Sequence, residues 1–576
     1  MPRTGQMNEK AGRRTADPGH GRAEEDRERI RLLRLIGALA VVNGLLLVPD
    51  FILLRGEGAA WVALEALVIV GVFGLLPRRR STWIAAATVA TVAVVAFLLE
   101  TAETATWLAL HRPLNLYMDV WLADSVHHLL VGTLGAVPAV LSELLAVGAL
   151  IGVGIAAAGL LAGSAREPGT AVPRTAVLTV AGVVSVGFTV DRVEPLAPRV
   201  DAPLVRLIRD QAARYVDTRR DRARFVAELS EARSSYADTP GLLAGLGGRD
   251  VIVAFVESYG VSAIEDPRYA PVVGPQLDDL GRRMKDAGLH VVSGRLVAPS
   301  QGGQSWFAHG SLLSGLWLDN QVRYELMLGS GRETLIDDFR SAEYRTVALM
   351  PAITMAWPEG IRFGYDEVYA HEDIGYAGPP LNWVTMPDQF TWSFLERTIR
   401  TREPSRPLFA EIGLISSHAP WTPILPVLDD WEDIGDGSVF QPWEGAGEPP
   451  QELWRDTDRV REHYAMSVGY AVGVVTSYAE RYVDDSTLLI VLGDHQPAPL
   501  ITGDDAPWDV PVHVISGDPD LLEPFLDWGF VSGAWPGPGG ETLGVDYFRD
   551  WFLHAYSGDA IRTPVRHAAG GAKPDG

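Results

Sequence analysis

Residues 250–258 read DVIVAFVES, a short run of apolar, largely β-branched residues that ends in a carboxylate and a hydroxyl. A continuous apolar run of this length predicts a strand that is covered on both faces of a sheet. Similar runs recur at residues 346–350, 408–415 and 487–492, with helical stretches between them. This alternation predicts an α/β sandwich domain with a largely parallel sheet and helices on both faces.

Polar side chains with metal-binding or catalytic potential follow three of these runs. Glu257 follows the first run, His418 follows the run at 408–415, and Asp494 and His495 follow the run at 487–492. Because ligands gather at the carboxyl ends of parallel strands, we expect these side chains to lie close together. Carboxylate oxygens and imidazole nitrogens suit Mn²⁺, Mg²⁺ or Zn²⁺. The pattern therefore predicts a site for one divalent metal ion.

A fourth segment supplies a hydroxyl. Residues 299–315 read PSQGGQSWFAHGSLLSG, in which two glycines permit a tight turn and Ser305 begins a helix. The helix dipole favours a phosphate or sulfate at that position. His309 lies one helical turn further on, on the same helix face. Two interpretations remain open: Ser305 is a nucleophile, or it is only the N-cap of the helix.

The first third of the chain contains the membrane signal. Five apolar stretches, at residues 32–54, 59–76, 82–99, 136–162 and 175–190, approach the roughly 20 residues that a helix needs to cross a bilayer. Arginines crowd the leading tail, the second connection and the fourth connection, which predicts a cytoplasmic N-terminus. With five spans, everything after Val190 lies outside. The last stretch is the shortest, and its loss alone would reverse that placement.

These signals divide the chain into five parts. We expect a disordered cytoplasmic tail (1–30), a transmembrane domain of five helices (31–192), membrane-surface linker helices (193–245), an extracellular catalytic domain (246–557) and a disordered tail (558–576). The formal net charge of −24 argues against nucleic acid as a partner, because phosphates would be repelled. The absence of cysteine excludes disulfides, thiolate catalysis and zinc–thiolate sites.

Three motifs together resemble a known family. The carboxylate after the first strand, the Gly-Gly-Gln-Ser turn and the Gly-Asp-His segment at 493–495 resemble the alkaline phosphatase/sulfatase superfamily. Within it, the membrane-anchored lipoteichoic-acid synthases (phosphoglycerol transferases) and the lipid A phosphoethanolamine transferases have a similar five-span anchor. The resemblance implies that Ser305 is the nucleophile, where the synthases have threonine. It also implies four metal ligands: Glu257, Ser305, Asp494 and His495.

Other positions match the family in part. The sulfatase signature Cys/Ser-x-Pro-x-Arg aligns with Ser305, but its Pro and Arg are replaced by Phe307 and His309. These replacements argue against maturation to formylglycine. His418 matches a substrate-contacting histidine. Trp357 and Arg362 match a headgroup-binding segment, although with different spacing, and a Trp packed under a loop is the alternative.

The resemblance implies a membrane-anchored, metal-dependent phosphotransferase in a bacterial cell membrane. It would move a phosphoglycerol-like group from a membrane phospholipid to an envelope glycan or lipid through a phosphoseryl intermediate. Mn²⁺ is the first expectation for the metal, and His309 and His418 would stabilise charge or protonate the leaving group. One alternative is a phosphodiesterase, phosphatase or sulfuric ester hydrolase that uses water. An inactive envelope scaffold or binding module is the alternative from another class.

Overall fold

A computed structural model of the chain describes residues 18–53, 60–110, 112–167, 200–231, 236–401, 406–537 and 542–557, together with Gly182. The chain separates into two units. The first consists of residues 1–105 and 114–215, and the second consists of residues 106–113 and 216–576.

The N-terminal part is helical. Its described helices are α1 (Pro18–Leu53), α2 (Leu64–Leu75), α3 (Arg80–Leu110), α4 (Leu122–Leu134), α5 (Ala136–Ser164) and α6 (Pro203–Glu231), with a 3₁₀ turn at Asp119–Trp121. Helix α1 begins at Pro18, within the tail (1–30) predicted as disordered, because helix-forming Ala, Arg and Glu residues precede the apolar stretch.

Three segments of the described chain are long and apolar enough to cross a membrane: Asp26–Pro49, Arg80–Leu110 and Ala136–Ser164. Helix α2 is apolar but has only 12 residues. At 1.5 Å per residue it extends about 18 Å, less than the roughly 30 Å of hydrocarbon. It is shorter than predicted because Val62–Ala63 instead pairs as a short parallel strand with Val200–Asp201. The fifth predicted span, 175–190, lies outside the described residues except for Gly182.

The second unit is built on a sheet of eight described strands. These are β1 (Asp250–Val256), β2 (His290–Val297), β3 (Arg345–Met350), β4 (Glu367–Ala370), β5 (Leu408–Gly413), β6 (Thr487–Gly493), β7 (Asp509–Ser516) and β8 (Val531–Ser532). Their order across the sheet is β8-β2-β7-β6-β1-β5-β3-β4.

The sheet is mixed rather than largely parallel. The five strands β6, β1, β5, β3 and β4 are parallel to one another. At the other edge, β7 is antiparallel to both β6 and β2, and β8 is antiparallel to β2. The prediction therefore describes the half of the sheet that carries Glu257, Asp494 and His495, and it does not describe the antiparallel edge.

Described helices of the second unit cover both faces of this sheet. They are α7 (Ser262–Glu265), α8 (Ala270–Asp286), α9 (Trp306–Ser314), α10 (Gln321–Gly329), α11 (Leu335–Ser341), α12 (Pro358–Phe363), α13 (His371–Ile374), α14 (Asp388–Phe394), α15 (Pro450–Leu453), α16 (Thr457–Tyr482), α17 (Pro499–Thr502), α18 (Glu523–Trp528) and α19 (Phe548–Ser557). Shorter turns are a π-helical segment (Leu395–Arg400) and 3₁₀ turns at Ala244–Leu246, Ser438–Trp443, Pro519–Leu521 and Val545–Tyr547.

The two faces of β1 explain its continuous apolar sequence. Successive strand residues point to opposite faces. Ile252 and Ala254 enter a core that contains residues of α8 and α16, whereas Val253 and Phe255 enter a second core that contains residues of α9 and α19. Because both faces are covered, no position of β1 between 251 and 256 is exposed, and its first functional side chain comes only where the strand ends.

Candidate active site

The site begins where two neighbouring parallel strands end. Val256, the last residue of β1, pairs with Gly493, the last residue of β6, so Glu257 and Asp494 leave the sheet side by side. The close approach depends on the glycine, because a Cβ atom at Gly493 would lie 1.8 Å from the carbonyl oxygen of Tyr259. A glycine at this strand end therefore permits the position of the following Asp494 and His495.

Glu257, Asp494 and His495 form a cluster that suits a metal ion. One ligand atom from each lies within 4.8 Å of the others. The Nε2 atom of His495 is 3.4 Å from Oε1 of Glu257 and 3.6 Å from Oδ2 of Asp494. All three residues are buried. Two carboxylates and an imidazole match the donor set that divalent Mn, Mg and Zn ions accept.

Neighbouring backbone groups hold two of these ligands in orientation. The backbone N–H groups of Ser258 and His495 donate to Oδ1 of Asp494 at 2.8 and 2.6 Å. The Nδ1 atom of His495 lies 2.9 Å from the carbonyl oxygen of Gln496. Since a carbonyl oxygen only accepts, Nδ1 carries the proton, and Nε2 is the nitrogen that faces the carboxylates. Metal-binding histidines are commonly fixed by such a hydrogen bond.

The pKa values of the cluster show that its charges compete. Burial raises the pKa of Glu257, but the nearby His495 and His418 outweigh burial, so this pKa lies below its usual value. Burial and the charge of Glu257 raise the pKa of Asp494 to about 6. Burial lowers the pKa of His495, but Asp494 and Glu257 outweigh it and the pKa is raised. Two buried carboxylates thus require positive charge beside them, and a divalent cation fits this requirement.

Ser305 is brought to this cluster by an unusual turn. Gly302, Gly303 and Gln304 all have positive φ, at 75°, 148° and 64°. The hydroxyl oxygen of Ser305 lies 3.4 Å from Oε2 of Glu257 and 3.3 Å from Nε2 of His495. Ser305 is the N-cap residue of α9, but its side chain makes no capping hydrogen bond. The structure therefore does not support the capping interpretation, and the nucleophilic role of Ser305 stays a prediction.

The backbone carbonyl group of Gln496 links the turn before Ser305 to His495, one of the metal-ligand candidates. The carbonyl oxygen of Gln496 accepts a hydrogen bond from the Gly302 N–H at 2.8 Å as well as from His495 Nδ1. This shared acceptor fixes the distance between the segment that precedes Ser305 and the ring of His495. Gln496 itself is fully buried, which keeps water from competing for these hydrogen bonds.

His309 lies on the same helix as Ser305 and is held by a buried carboxylate. Its Nδ1 atom is 2.8 Å from Oε1 of Glu411, and its ring stacks on Phe255 with centroids 3.8 Å apart. The second oxygen of Glu411 accepts a hydrogen bond from the hydroxyl of Tyr365. Sequence reasoning missed both Glu411 and Tyr365. The signal for Glu411 was a single charged residue inside the apolar run 408–415.

His418 lies on the loop after β5. Its Nδ1 atom is 2.6 Å from the carbonyl oxygen of Ala419, and its ring stacks with Trp383 at a centroid distance of 6.5 Å. The buried Asp388 fixes the start of this loop, because its carboxylate accepts hydrogen bonds from the N–H groups of Ile415 and Ser416. Burial raises the pKa of Asp388 to about 6. Asp388 thus shapes the loop on which His418 lies.

Trp357 and Arg362 are not brought into this cluster. Trp357 precedes α12, and its ring lies over Gly360 and 6.5 Å from the ring of Tyr365. Arg362 is exposed near the end of α12. Within the described part of the chain, neither residue has a recorded contact with Glu257, Ser305, Asp494 or His495. Their role in headgroup binding stays a prediction.

Another buried histidine lies in the antiparallel half of the sheet. His513 on β7 is 2% exposed, with Nδ1 2.9 Å from the hydroxyl of Ser293 and Nε2 3.0 Å from the hydroxyl of Tyr259. Burial lowers its pKa to about 4. Both ring nitrogens have partners in the core, so His513 serves the packing of the sheet.

Comparisons with known proteins were made by sequence and by structure. No family model and no curated protein sequence matches the chain. The chain is similar to the crystal structure of the lipoteichoic acid synthase LtaP from Listeria monocytogenes, with 13% identity and a TM-score of 0.31 over 58% of this chain and 77% of that chain. It is also similar to the C-terminal periplasmic domain of EptC from Escherichia coli in complex with Zn, with 14% identity and a TM-score of 0.32 over 52% and 90%.

A third similar structure is the Streptococcus pyogenes phosphoglycerol transferase GacH in complex with sn-glycerol-1-phosphate, with 12% identity and a TM-score of 0.32. The match covers 51% of this chain and 73% of that chain. The names of these structures thus include a lipoteichoic acid synthase and a phosphoglycerol transferase.

Proposed function

We propose that this chain is a membrane-anchored, metal-dependent phosphotransferase that moves a phosphoglycerol-like group from a membrane phospholipid to an envelope glycan or lipid. One observation carries the proposal. The Ser305 hydroxyl lies within 3.4 Å of both Glu257 and His495, in a buried cluster that also contains Asp494. A hydroxyl without a capping role, placed among metal-ligand candidates at a helix N-terminus, suits nucleophilic attack on a phosphate.

The residues that would hold the metal ion are Glu257, Asp494, His495 and the hydroxyl of Ser305. A bound divalent cation supplies Lewis-acid chemistry: it lowers the pKa of the serine hydroxyl and neutralises charge on a phosphate oxygen. Mn²⁺ is the first candidate, with Mg²⁺ and Zn²⁺ as alternatives, because all three accept oxygen and imidazole donors.

The reaction has two transfers at Ser305. In the first, the serine hydroxyl gives up its proton, its oxygen forms a bond to phosphorus, and the bond from phosphorus to the diacylglycerol oxygen breaks. In the second, an acceptor hydroxyl gives up its proton and forms a bond to phosphorus, the serine–phosphate bond breaks, and the serine oxygen takes up a proton. The diacylglycerol oxygen must gain a proton as it leaves, and His309 and His418 are the candidates to donate it.

Glu411 holds the ring of His309 in one orientation, which suits the ring to donate this proton. The carboxylate accepts a hydrogen bond from the Nδ1–H group of His309, so Nε2 is the nitrogen that remains for the substrate. Stacking on Phe255 restricts the ring further. A ring fixed in this way presents Nε2 in one orientation, as required of a group that contacts the leaving oxygen.

We also propose that the catalytic unit lies outside the cell membrane, with the N-terminus cytoplasmic. The support is the arginine distribution together with an odd number of crossings. The five crossings predicted from the sequence give this result. An outward catalytic unit would meet lipid headgroups and envelope acceptors on the same side.

The proposal is tested with full-length protein and a panel of phosphatidylglycerol, phosphatidylethanolamine and phosphatidylcholine, each with Mn²⁺, Mg²⁺ or Zn²⁺. We expect diacylglycerol release from phosphatidylglycerol that EDTA abolishes and Mn²⁺ restores. Ser305→Ala should abolish release, while Ser330→Ala, which removes an exposed hydroxyl from the same unit, should retain it. Diacylglycerol release by Ser305→Ala at the wild-type rate would exclude Ser305 as the nucleophile. Transfer of the headgroup only to water would identify a hydrolase instead.

A further inference from the structure

The first unit contains a cavity that the proposed reaction does not use. It has a volume of about 800 Å³ and lies between α1, α3 and α5. One part of its wall is basic, formed by Arg34, Arg78, Arg79 and Arg80. The remainder consists of Trp83 and small or apolar residues of α5 between positions 156 and 163. We call it the arginine cavity.

Two arginines of this cavity, Arg79 and Arg80, differ from the arginines nearby that cap helix ends. Arg31 donates to the carbonyl oxygen of Ser164 at 3.0 Å, and Arg166 donates to that of Leu75 at 2.9 Å. Such bonds satisfy backbone groups at the C-terminal ends of α5 and α2. Within the residues that the structure describes, Arg79 and Arg80 have neither a carbonyl partner of this kind nor a carboxylate partner. Capping therefore explains Arg31 and Arg166 but not these two.

The other two guanidinium groups are only weakly neutralised. Arg78 lies 3.9 Å from a carboxylate oxygen of Glu167, and both side chains are more than half exposed, so this ion pair contributes little. Arg34 donates to the carbonyl oxygen of Gly163 at 3.4 Å. Its side chain lies so close to Gly163 that a Cβ atom there would be 2.9 Å from Cδ of Arg34. Positive charge is therefore concentrated around the arginine cavity, and the side chain of Arg34 packs against α5.

We propose that the arginine cavity binds the phosphate-bearing headgroup of an acidic phospholipid. Guanidinium groups match phosphate oxygens in charge and geometry. A basic pocket between membrane-crossing helices is a suitable place for an anionic headgroup. The apolar part of the wall favours a lipid over free phosphate, because acyl chains would cover it. Trp83 is 57% exposed near the start of α3, as expected of an aromatic residue at headgroup depth.

The lipid that we expect in the arginine cavity is a different molecule from the lipid that the enzyme would use as its substrate. The arginines that line the cavity belong to the leading tail and the second connection, which the sequence predicts to be cytoplasmic. The proposed substrate lipid, by contrast, would meet a catalytic unit on the opposite side. The inference depends on the charge and shape of the cavity alone, and it stands whether or not the chain is a transferase.

The test measures lipid binding to the full chain by native mass spectrometry. Detergent-purified protein is titrated with phosphatidylglycerol, with phosphatidylcholine and, separately, with inorganic phosphate. We expect phosphatidylglycerol to bind at least about tenfold more tightly than phosphatidylcholine. The double variant Arg79→Gln/Arg80→Gln should weaken phosphatidylglycerol binding by roughly thirtyfold, since two phosphate contacts are lost. The control Arg282→Gln/Arg481→Gln removes two exposed charges from the second unit and should bind as the wild type does.

Folding of the variants is checked by thermal unfolding in detergent without added lipid. If the double variant does not fold, Arg34→Gln tests the same cavity from α1 and should weaken phosphatidylglycerol binding as well. Equal binding of the two lipids to the wild type would overturn the proposal. So would unchanged phosphatidylglycerol binding in folded Arg79→Gln/Arg80→Gln or, where that variant does not fold, in folded Arg34→Gln. Inorganic phosphate that binds more tightly than phosphatidylglycerol would also overturn it, because the ligand would then be a free anion.

Discussion

Gly493→Ala is the most informative single change outside the ligands themselves. The added methyl group would lie 1.8 Å from the carbonyl oxygen of Tyr259, whereas real Cβ atoms essentially never approach other heavy atoms within 3.0 Å. The end of β6 and the backbone of Tyr259 must therefore separate by at least about 1.2 Å. The next two residues along the chain are Asp494 and His495, so the displacement passes directly to two of the three metal-ligand candidates.

The size of this displacement decides the expected effect. A metal–oxygen bond is about 2.0–2.2 Å long, so a shift of more than 1 Å removes a ligand from the coordination sphere. A misplacement of about 1 Å costs roughly a hundredfold in rate. Overpacking of a core position costs about 1–3 kcal/mol of stability, which a domain of this size tolerates. We expect Gly493→Ala to fold and to lose at least about a hundredfold in turnover.

The assay is Mn²⁺-dependent release of diacylglycerol from phosphatidylglycerol, with Mn²⁺ affinity measured by calorimetry on the same samples. The matched control is Gly469→Ala in helix α16, where the nearest side-chain atom would be an ordinary 3.6 Å away, on Gln276. Wild-type turnover and wild-type Mn²⁺ affinity in folded Gly493→Ala would refute the reasoning, since the site would then not depend on this strand end.

Three further predictions concern buried polar groups. Glu411→Gln should lower kcat by roughly tenfold to a hundredfold with little change in KM, because it loosens the orientation of His309; equal kinetics would remove its positioning role. Asp338→Asn removes the carboxylate charge that pairs with the fully buried guanidinium of Arg549, and should lower the free energy of unfolding by about 3–5 kcal/mol. A loss below about 1 kcal/mol in denaturant titration would show that this ion pair is not coupled to folding. His513 has a pKa of about 4 in the folded chain against 6.5 ordinarily. Between these values only the unfolded chain binds the proton, so stability should fall by up to about 3 kcal/mol as the pH drops from 6.5 to 4. His513→Gln should flatten that dependence, and an unchanged slope would contradict it.

The part of the site that could be predicted from sequence is local to strand ends. Strands β1 and β6 are covered on both faces, so their sequences are almost uninterrupted apolar runs. Glu257 and Asp494 stand immediately after these runs, and the parallel pairing of the two strands then brings them together. The turn before Ser305 could also be predicted from the local sequence, because consecutive glycines mark a backbone with positive φ.

The antiparallel edge of the sheet could not be predicted in the same way. Strand β7 lies antiparallel to β2, which is more than 200 residues earlier in the chain. Direction is set by that distant partner, and the segment 509–516 carries no local signal for it. The shortening of the second predicted span has the same origin, since Val62–Ala63 pairs with Val200–Asp201.

The support behind His309 also depends on tertiary contacts. His309, Tyr365 and Glu411 come from three separate parts of the chain and meet only in the folded structure. The sequence showed a carboxylate inside a buried strand, which requires a partner because an unpaired buried charge is costly. It did not show which residue that partner would be, since several histidines and arginines were available.

The central claim is that one divalent cation is shared by Glu257, Asp494, His495 and the hydroxyl of Ser305. Anomalous diffraction from crystals of the full chain grown with Mn²⁺ measures this directly. We expect a single anomalous peak in the second unit, within bonding distance of all four side chains. A Mn²⁺ peak elsewhere in that unit, or one that excludes the serine oxygen and at least one carboxylate, would contradict it.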